Sequence, residues 1–145
     1  MNAEVVCYKG KWDDIKTVGI SQGREQEKVL AKRTYPQIEN FMDITQKGIL
    51  YTLEGGQVDA VIQDITKAAK VSEYSCRSIS ADDYISYVLV VKKEFVETDA
   101  FTDFIKSYNR AVDKLNNKAY LADILEVQES WIKEKEIKFL TLDER

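Results

Sequence analysis

The sequence holds no histidine, a single proline, two cysteines and no long apolar run. Each shortage excludes something. Without histidine there is no Ser-His-Asp or Cys-His machinery, and the commonest zinc ligand is missing. The lone Pro36 rules out a proline-rich linker. Spanning a bilayer takes about 18 apolar residues in a row, and no stretch approaches that. No C-x-x-C spacing and no glycine-rich phosphate loop of the G-x-x-x-x-G-K-S/T or G-x-G-x-x-G kind occurs. Reaction machinery would have to come from carboxylates, lysines and two thiols, so the chain reads as non-catalytic, with no cofactor and no metal. Cys7 and Cys76 are too few to define a framework. They read as free structural thiols, with a disulfide left open.

What is present suits one globular domain across residues 1–145, with 44% apolar and 32% charged residues. Acidic and basic residues are interspersed and the formal net charge is −4, so no basic stripe offers itself to duplex nucleic acid. The N-terminus lacks the basic start and apolar core of a signal peptide. That leaves a cytoplasmic chain, if complete as given, or an extracytoplasmic one, if it is an excised segment.

The pattern along the chain predicts strand, helix, strand, helix, strand. A buried strand at 16–21 leads to a helix at 22–33 with Val29 and Leu30 inward, ended before Pro36. A second strand lies at 38–44. A helix at 45–53 follows, capped by Thr45 and stopped by Gly55-Gly56. The third strand, 58–62, is almost wholly apolar, as a strand covered on both faces is. Short strands are expected at 5–8 and 76–80 and a helical turn at 65–71. A strong strand is expected at 84–92, with Tyr87-Val88-Leu89-Val90-Val91 at its heart. Phe101, Phe104, Ile105, Tyr108, Val112 and Leu115 keep the three-and-four spacing of a helix capped by Thr98 or Asp99. A further helix is expected at 118–133, then a strand or tail at 137–142. The alternation argues for a mainly parallel sheet flanked by helices, with a sheet-forming core at 14–92 and C-terminal helices at 97–134.

Several stretches carry a resemblance. Lys16-Thr17-Val18-Gly19-Ile20-Ser21 is similar to the "K-x-V-G" opening of the second lobe in type 2 periplasmic solute-binding proteins, nearest the nitrate/sulfonate/taurine-like branch. Leu53–Ala60 is similar to their "A-L-x-x-G-x-V-D-A". Residues 84–92 look like the strand by which such chains return toward lobe one, and 99–117 resemble their C-terminal helix. The resemblance covers roughly 14–125 and implies one α/β lobe of the type 2 fold. It implies a small-molecule ligand, organic or anionic, and as partners a first lobe and a transporter permease. A homodimer is left open. The alternative is a cytoplasmic sensing or regulatory module of the same fold.

Two places suit ligand contact. Ser21, Gln22, Gly23 and Arg24 sit where a strand gives way to a helix, whose first N–H groups attract anions; Arg24 adds a full charge. Gln63 and Asp64 follow the third strand, and Asp64 can accept from an amine or hydroxyl. The plainer reading makes Ser21 and Asp64 helix caps and Arg24 a solvated side chain. Asp59 reads as structural, since a carboxylate in a strand must be paired or point out.

Overall fold

The structure, a computed structural model, describes residues 4–71, 73–79, 89–134 and 137–142. It divides into two compact units, Ala3–Tyr84 and Ile85–Arg145 with Met1–Asn2.

The first unit is an α/β lobe. Its strands are β1 (Glu4–Tyr8), β2 (Thr17–Ser21), β3 (Asn40–Ile44), β4 (Ala60–Asp64) and β5 (Ser75–Ser78), in the order β3-β2-β4-β1-β5. The expected strand-helix alternation forms the parallel half: β2 runs parallel to β3 and to β4. The other half corrects the expectation of a mainly parallel sheet. β1 lies antiparallel to both β4 and β5, so the sheet is mixed. Helices α1 (Glu25–Thr34), α2 (Ile49–Glu54) and α3 (Ile65–Ala68) connect the strands.

Alternation along each strand builds the core. Val6, Tyr8, Val18, Ile20, Ala60 and Ile62 share one sheet face and pack with Leu30 and Ala31 of α1. Each fully buried branched side chain is worth about 1.5–3 kcal/mol. Val29, expected inward, is 70% exposed. Three successive apolar residues cannot all face one way on a helix, and Leu30 and Ala31 take the inner side. On the opposite sheet face, a Cβ at Gly19 would stand 2.5 Å from Ile44 Cδ1 and 3.2 Å from Val61 Cγ1. Glycine there is a packing requirement. Trp12, in a short 3-10 turn, lies edge-on between Tyr8 (5.0 Å) and Tyr35 (4.6 Å), with the Arg77 guanidinium 4.3 Å above its ring. Its role is packing rather than display.

Thr45 does not cap α2. A turn closes from Gly48 N–H to Thr45 O (2.9 Å), and the helix starts behind Gly48. Asp59 precedes β4 and its Oδ2 accepts from the N–H groups of Lys16 (2.9 Å) and Thr17 (2.8 Å), a structural role as expected. The thiols are not free. Cys7 and Cys76 stand opposite each other on β1 and β5, with Cα atoms 4.0 Å apart, and form a disulfide. Antiparallel pairing made them neighbours, and nothing in their sequence spacing showed that pairing.

The second unit is helical among its described residues: α4 (Lys93–Val96), α5 (Asp99–Asn116), α6 (Lys118–Leu125) and α7 (Glu129–Lys133). Thr98 caps α5, its Oγ1 accepting from Phe101 N–H at 3.2 Å. The expected stripe splits. Ile105 and Val112 are buried, whereas Phe104 and Tyr108 are exposed and join a ring ladder with Phe95 and Phe101. The helix expected at 118–133 is broken at Glu126, whose φ of 56° ends α6 in the left-handed region. The expected strand at 84–92 falls largely outside the described residues, and 89–92 carry no regular structure.

The stretch 137–142 is a tail without regular secondary structure rather than a strand. Asn116 holds both backbone groups of Phe139 (2.9 and 3.0 Å), and Asn109 holds both of Leu142 (2.8 and 2.9 Å). Seven helical residues and three extended ones both rise about 10 Å, so the two clamps fall in step.

Candidate functional site

The carboxyl ends of β2, β3 and β4 point the same way, where open α/β sheets take ligands. β1 runs against β4, so its first residue, Glu4, arrives at that end in register with Asp64. Of the six expected residues, five gather here.

Ser21 closes β2. It is half-buried, and its hydroxyl has no hydrogen-bond partner among the described residues. Gln22 is exposed, and its N–H donates to Ile44 O at 3.2 Å, tying the turn to the end of β3. Gly23 turns the chain at φ +82°, with nothing within 4 Å of where a Cβ would sit. That backbone favours glycine and leaves the ground above the turn open. Arg24 stands at the N-cap of α1 and offers it no side-chain cap.

Arg24 is not a solvated side chain. Its Nη1 lies 3.1 Å from Glu4 Oε1 and 3.4 Å from Glu27 Oε1. Burial works to lower the Arg24 pKa, but the charges of Glu4, Glu27 and Asp64 raise it above the ordinary value. Burial lifts the Glu4 carboxyl above the usual glutamate value, with Arg24 opposing and Glu27 and Asp64 reinforcing. Glu4 Oε2 is buried without a hydrogen-bond partner among the described residues.

Asp64 caps α3. Its Oδ1 accepts from Lys67 N–H at 3.0 Å and from the Thr66 hydroxyl, and Lys67 Nζ sits 2.8 Å from Oδ2. Burial pushes this carboxyl up, but the Lys67 and Thr66 hydrogen bonds outweigh it and hold the pKa below the usual aspartate value. Gln63 is the residue not brought to the exposed end. Strand alternation turns it to the opposite face from Asp64. It is 4% exposed there, and neither Nε2 nor Oε1 has a hydrogen-bond partner among the described residues.

Sequence reasoning missed Glu4, Glu27 and Lys67. Glu27 follows Arg24 by three residues, a helical spacing that was readable. Glu4 had no local signal, because register across β1 and β4 brings it in. Among the described residues no group of three or more carboxylates and thiols is arranged to hold a metal ion, and no helix is long and apolar enough to cross a membrane.

The first unit is a single α/β lobe, a mixed sheet flanked by helices, whose fold resembles that of a substrate-binding domain. Among solved structures, the chain is similar to the second substrate-binding domain of a putative amino acid ABC transporter from Streptococcus pneumoniae. That match has 18% identity and a TM-score of 0.50, covering 86% of this chain and 59% of the other. A structure concerned with glutathione import via GshT and the cystine ABC importer TcyBC of Streptococcus mutans matches at 14% identity and TM-score 0.46, over 90% and 64% of the two chains. The periplasmic VFT2 domain of Bordetella pertussis BvgS matches at 23% identity and TM-score 0.39, over 57% and 40%. The first likeness shows the fold; the other two overlap too loosely to add to it. This chain spans 40 to 64% of the length of these three structures. No protein-family model and no curated protein matches the sequence.

Proposed function

We propose that this chain is the ligand-gripping lobe of an extracytoplasmic solute-binding protein and that its ligand carries an amine. It binds rather than catalyses. The likeness in fold to a transporter's substrate-binding domain supports the class. That neighbour's greater length supports a clamshell in which another lobe closes on the solute before delivery to a permease. The Cys7–Cys76 disulfide supports an oxidising, extracytoplasmic compartment over the cytoplasmic sensing alternative.

One observation carries the ligand class. At the carboxyl end of the strands, the carboxylates of Glu4, Glu27 and Asp64 outnumber the cations of Arg24 and Lys67. Arg24, the side chain that would greet an anion, is already shared between two of those carboxylates. The reading therefore moves from an anionic solute such as nitrate or a sulfonate to a small amine-bearing one, zwitterionic where a carboxylate also meets the Ser21–Gly23 turn and the first N–H groups of α1. Lys67 Nζ holds the place on Asp64 Oδ2 that a ligand ammonium would take.

Calorimetry of the full chain against α-amino acids, nitrate and ethanesulfonate tests this. Amino acids bind, and Asp64→Asn removes the binding. Lys67→Met strengthens it roughly 1.5- to 5-fold, the worth of a partly exposed ion pair no longer competing. Binding of nitrate or ethanesulfonate without amino acids, or indifference to Asp64→Asn, contradicts the proposal.

A further inference from the structure

The outer strand β3 ends the sheet on one side. Among the described residues it pairs with β2 alone. Which of its backbone groups remain unused follows from the ladder. Asn40 N–H donates to Lys16 O at 3.0 Å, and Ile44 O accepts from Gln22 N–H at 3.2 Å. Backbone direction alternates along a strand, so Asn40, Met42 and Ile44 face β2. Phe41 and Asp43 present their N–H and C=O groups outward. Sheet edges of this kind are ordinarily blunted by bulges, proline or a covering segment, because they template pairing with another chain.

The surroundings of this edge are self-complementary. On the α1 face, Lys28, Val29, Lys32, Arg33 and Phe41 line a groove of about 430 Å³. Its apolar floor is Phe41 and Val29, the latter 70% exposed, and its rim is basic. On the other face, Met42 is 40% exposed. Asp43 projects on the same face as Phe41, with half of its side chain in solvent beside Lys28 (2.8 Å).

We infer that two copies of this chain associate through β3, antiparallel, about a two-fold axis at Met42. In that register Phe41 of each copy faces Asp43 of the other, and each such pair exchanges both of its outward hydrogen bonds. The four outward groups on each copy are all satisfied. Met42 meets its own equivalent on the axis, covering an exposed apolar side chain with an identical one. Asp43 of each copy enters over the other's Phe41, beside the Lys32 and Arg33 rim, so the charges match across the seam. The two five-stranded sheets become one continuous sheet, and the contact is isologous, as closed dimers require. The inference stands on the sheet edge alone and does not depend on the ligand proposed above.

Sedimentation equilibrium of the full, oxidised chain is the test. The weight-average mass rises with concentration toward twice the monomer. Asp43→Pro removes one outward N–H without touching the β2 ladder, a position where edge strands tolerate proline. It weakens association at least about tenfold while circular dichroism stays that of the parent. Should that variant loosen the fold, Met42→Cys gives a second readout. The two introduced thiols meet on the axis, and mild oxidation yields a covalent dimer that the same substitution at Lys47 does not. A chain that stays monomeric at all concentrations overturns the inference. So does a dimer untouched by Asp43→Pro that fails to cross-link through position 42, which would assign association to another surface.

Discussion

Reducing the Cys7–Cys76 bond should cost the first unit a large share of its stability. The bond joins residues 69 apart in sequence. Closing a loop of that length removes about 15 cal/mol/K of entropy from the unfolded chain, or about 4 kcal/mol at room temperature. Net stabilities of domains are about 5–15 kcal/mol, so this is a large share. With a urea m-value of about 1–2 kcal/mol/M, the unfolding midpoint should fall by about 2–4 M. The assay is urea unfolding followed by far-UV circular dichroism, with and without a phosphine reductant. Thiol titration in denaturant supplies the control, and the oxidised protein should show no reactive thiol. A midpoint shift below about 0.5 M with the bond verified would refute the reasoning, because the loop would then be constrained already in the unfolded state.

Gly19→Ala should destabilise by about 1–3 kcal/mol in thermal melting, because its Cβ intrudes on Ile44 and Val61; an unchanged melt would mean that Ile44 swings aside freely. Asn109→Ala and Asn116→Ala should each cost about 1 kcal/mol and expose the amide of Leu142 or Phe139 to fast hydrogen exchange, while equal protection in the variants would dismiss the clamps. Stability should respond to acid through two carboxyls of opposite sign. Asp64, held below its ordinary 3.8, contributes stability above that value, and the contribution is lost as pH falls through its folded pKa. Glu4, lifted above 4.5, contributes stability at low pH that is lost as pH rises through its folded pKa. Denaturation across a pH series should show that second loss in the parent and not in Glu4→Gln, and a parent whose Glu4-dependent part grows with pH would overturn the assignment.

The parallel half of the lobe was legible because β2, α1, β3, α2 and β4 follow one another with short connections, and each carries its own period. The antiparallel half was not. β1 and β5 are short, and their pairing is a matter of register between distant segments. The disulfide and the arrival of Glu4 beside Asp64 both follow from that register. Ser21 to Arg24 and Asp64 could be placed at strand ends because such ends are marked by a change of period. Arg24 was read as a charge for an anion or as a solvated side chain, and neither reading included Glu4, which register alone brings to it. Val29 was misplaced because a run of three apolar residues leaves helix phase undetermined. The break after α6 uses Glu126 in a left-handed conformation, where glycine or asparagine would have announced it.

The most direct test of the central claim is a nitrogen-15 amide titration of the full chain with α-amino acids, repeated with nitrate. The account predicts that amino acids shift the amides from Ser21 to Glu27 and from Asp64 to Lys67, and that nitrate leaves Asp64 to Lys67 unmoved. Shifts confined to other parts of the sheet, or a response to nitrate in place of amino acids, would contradict it.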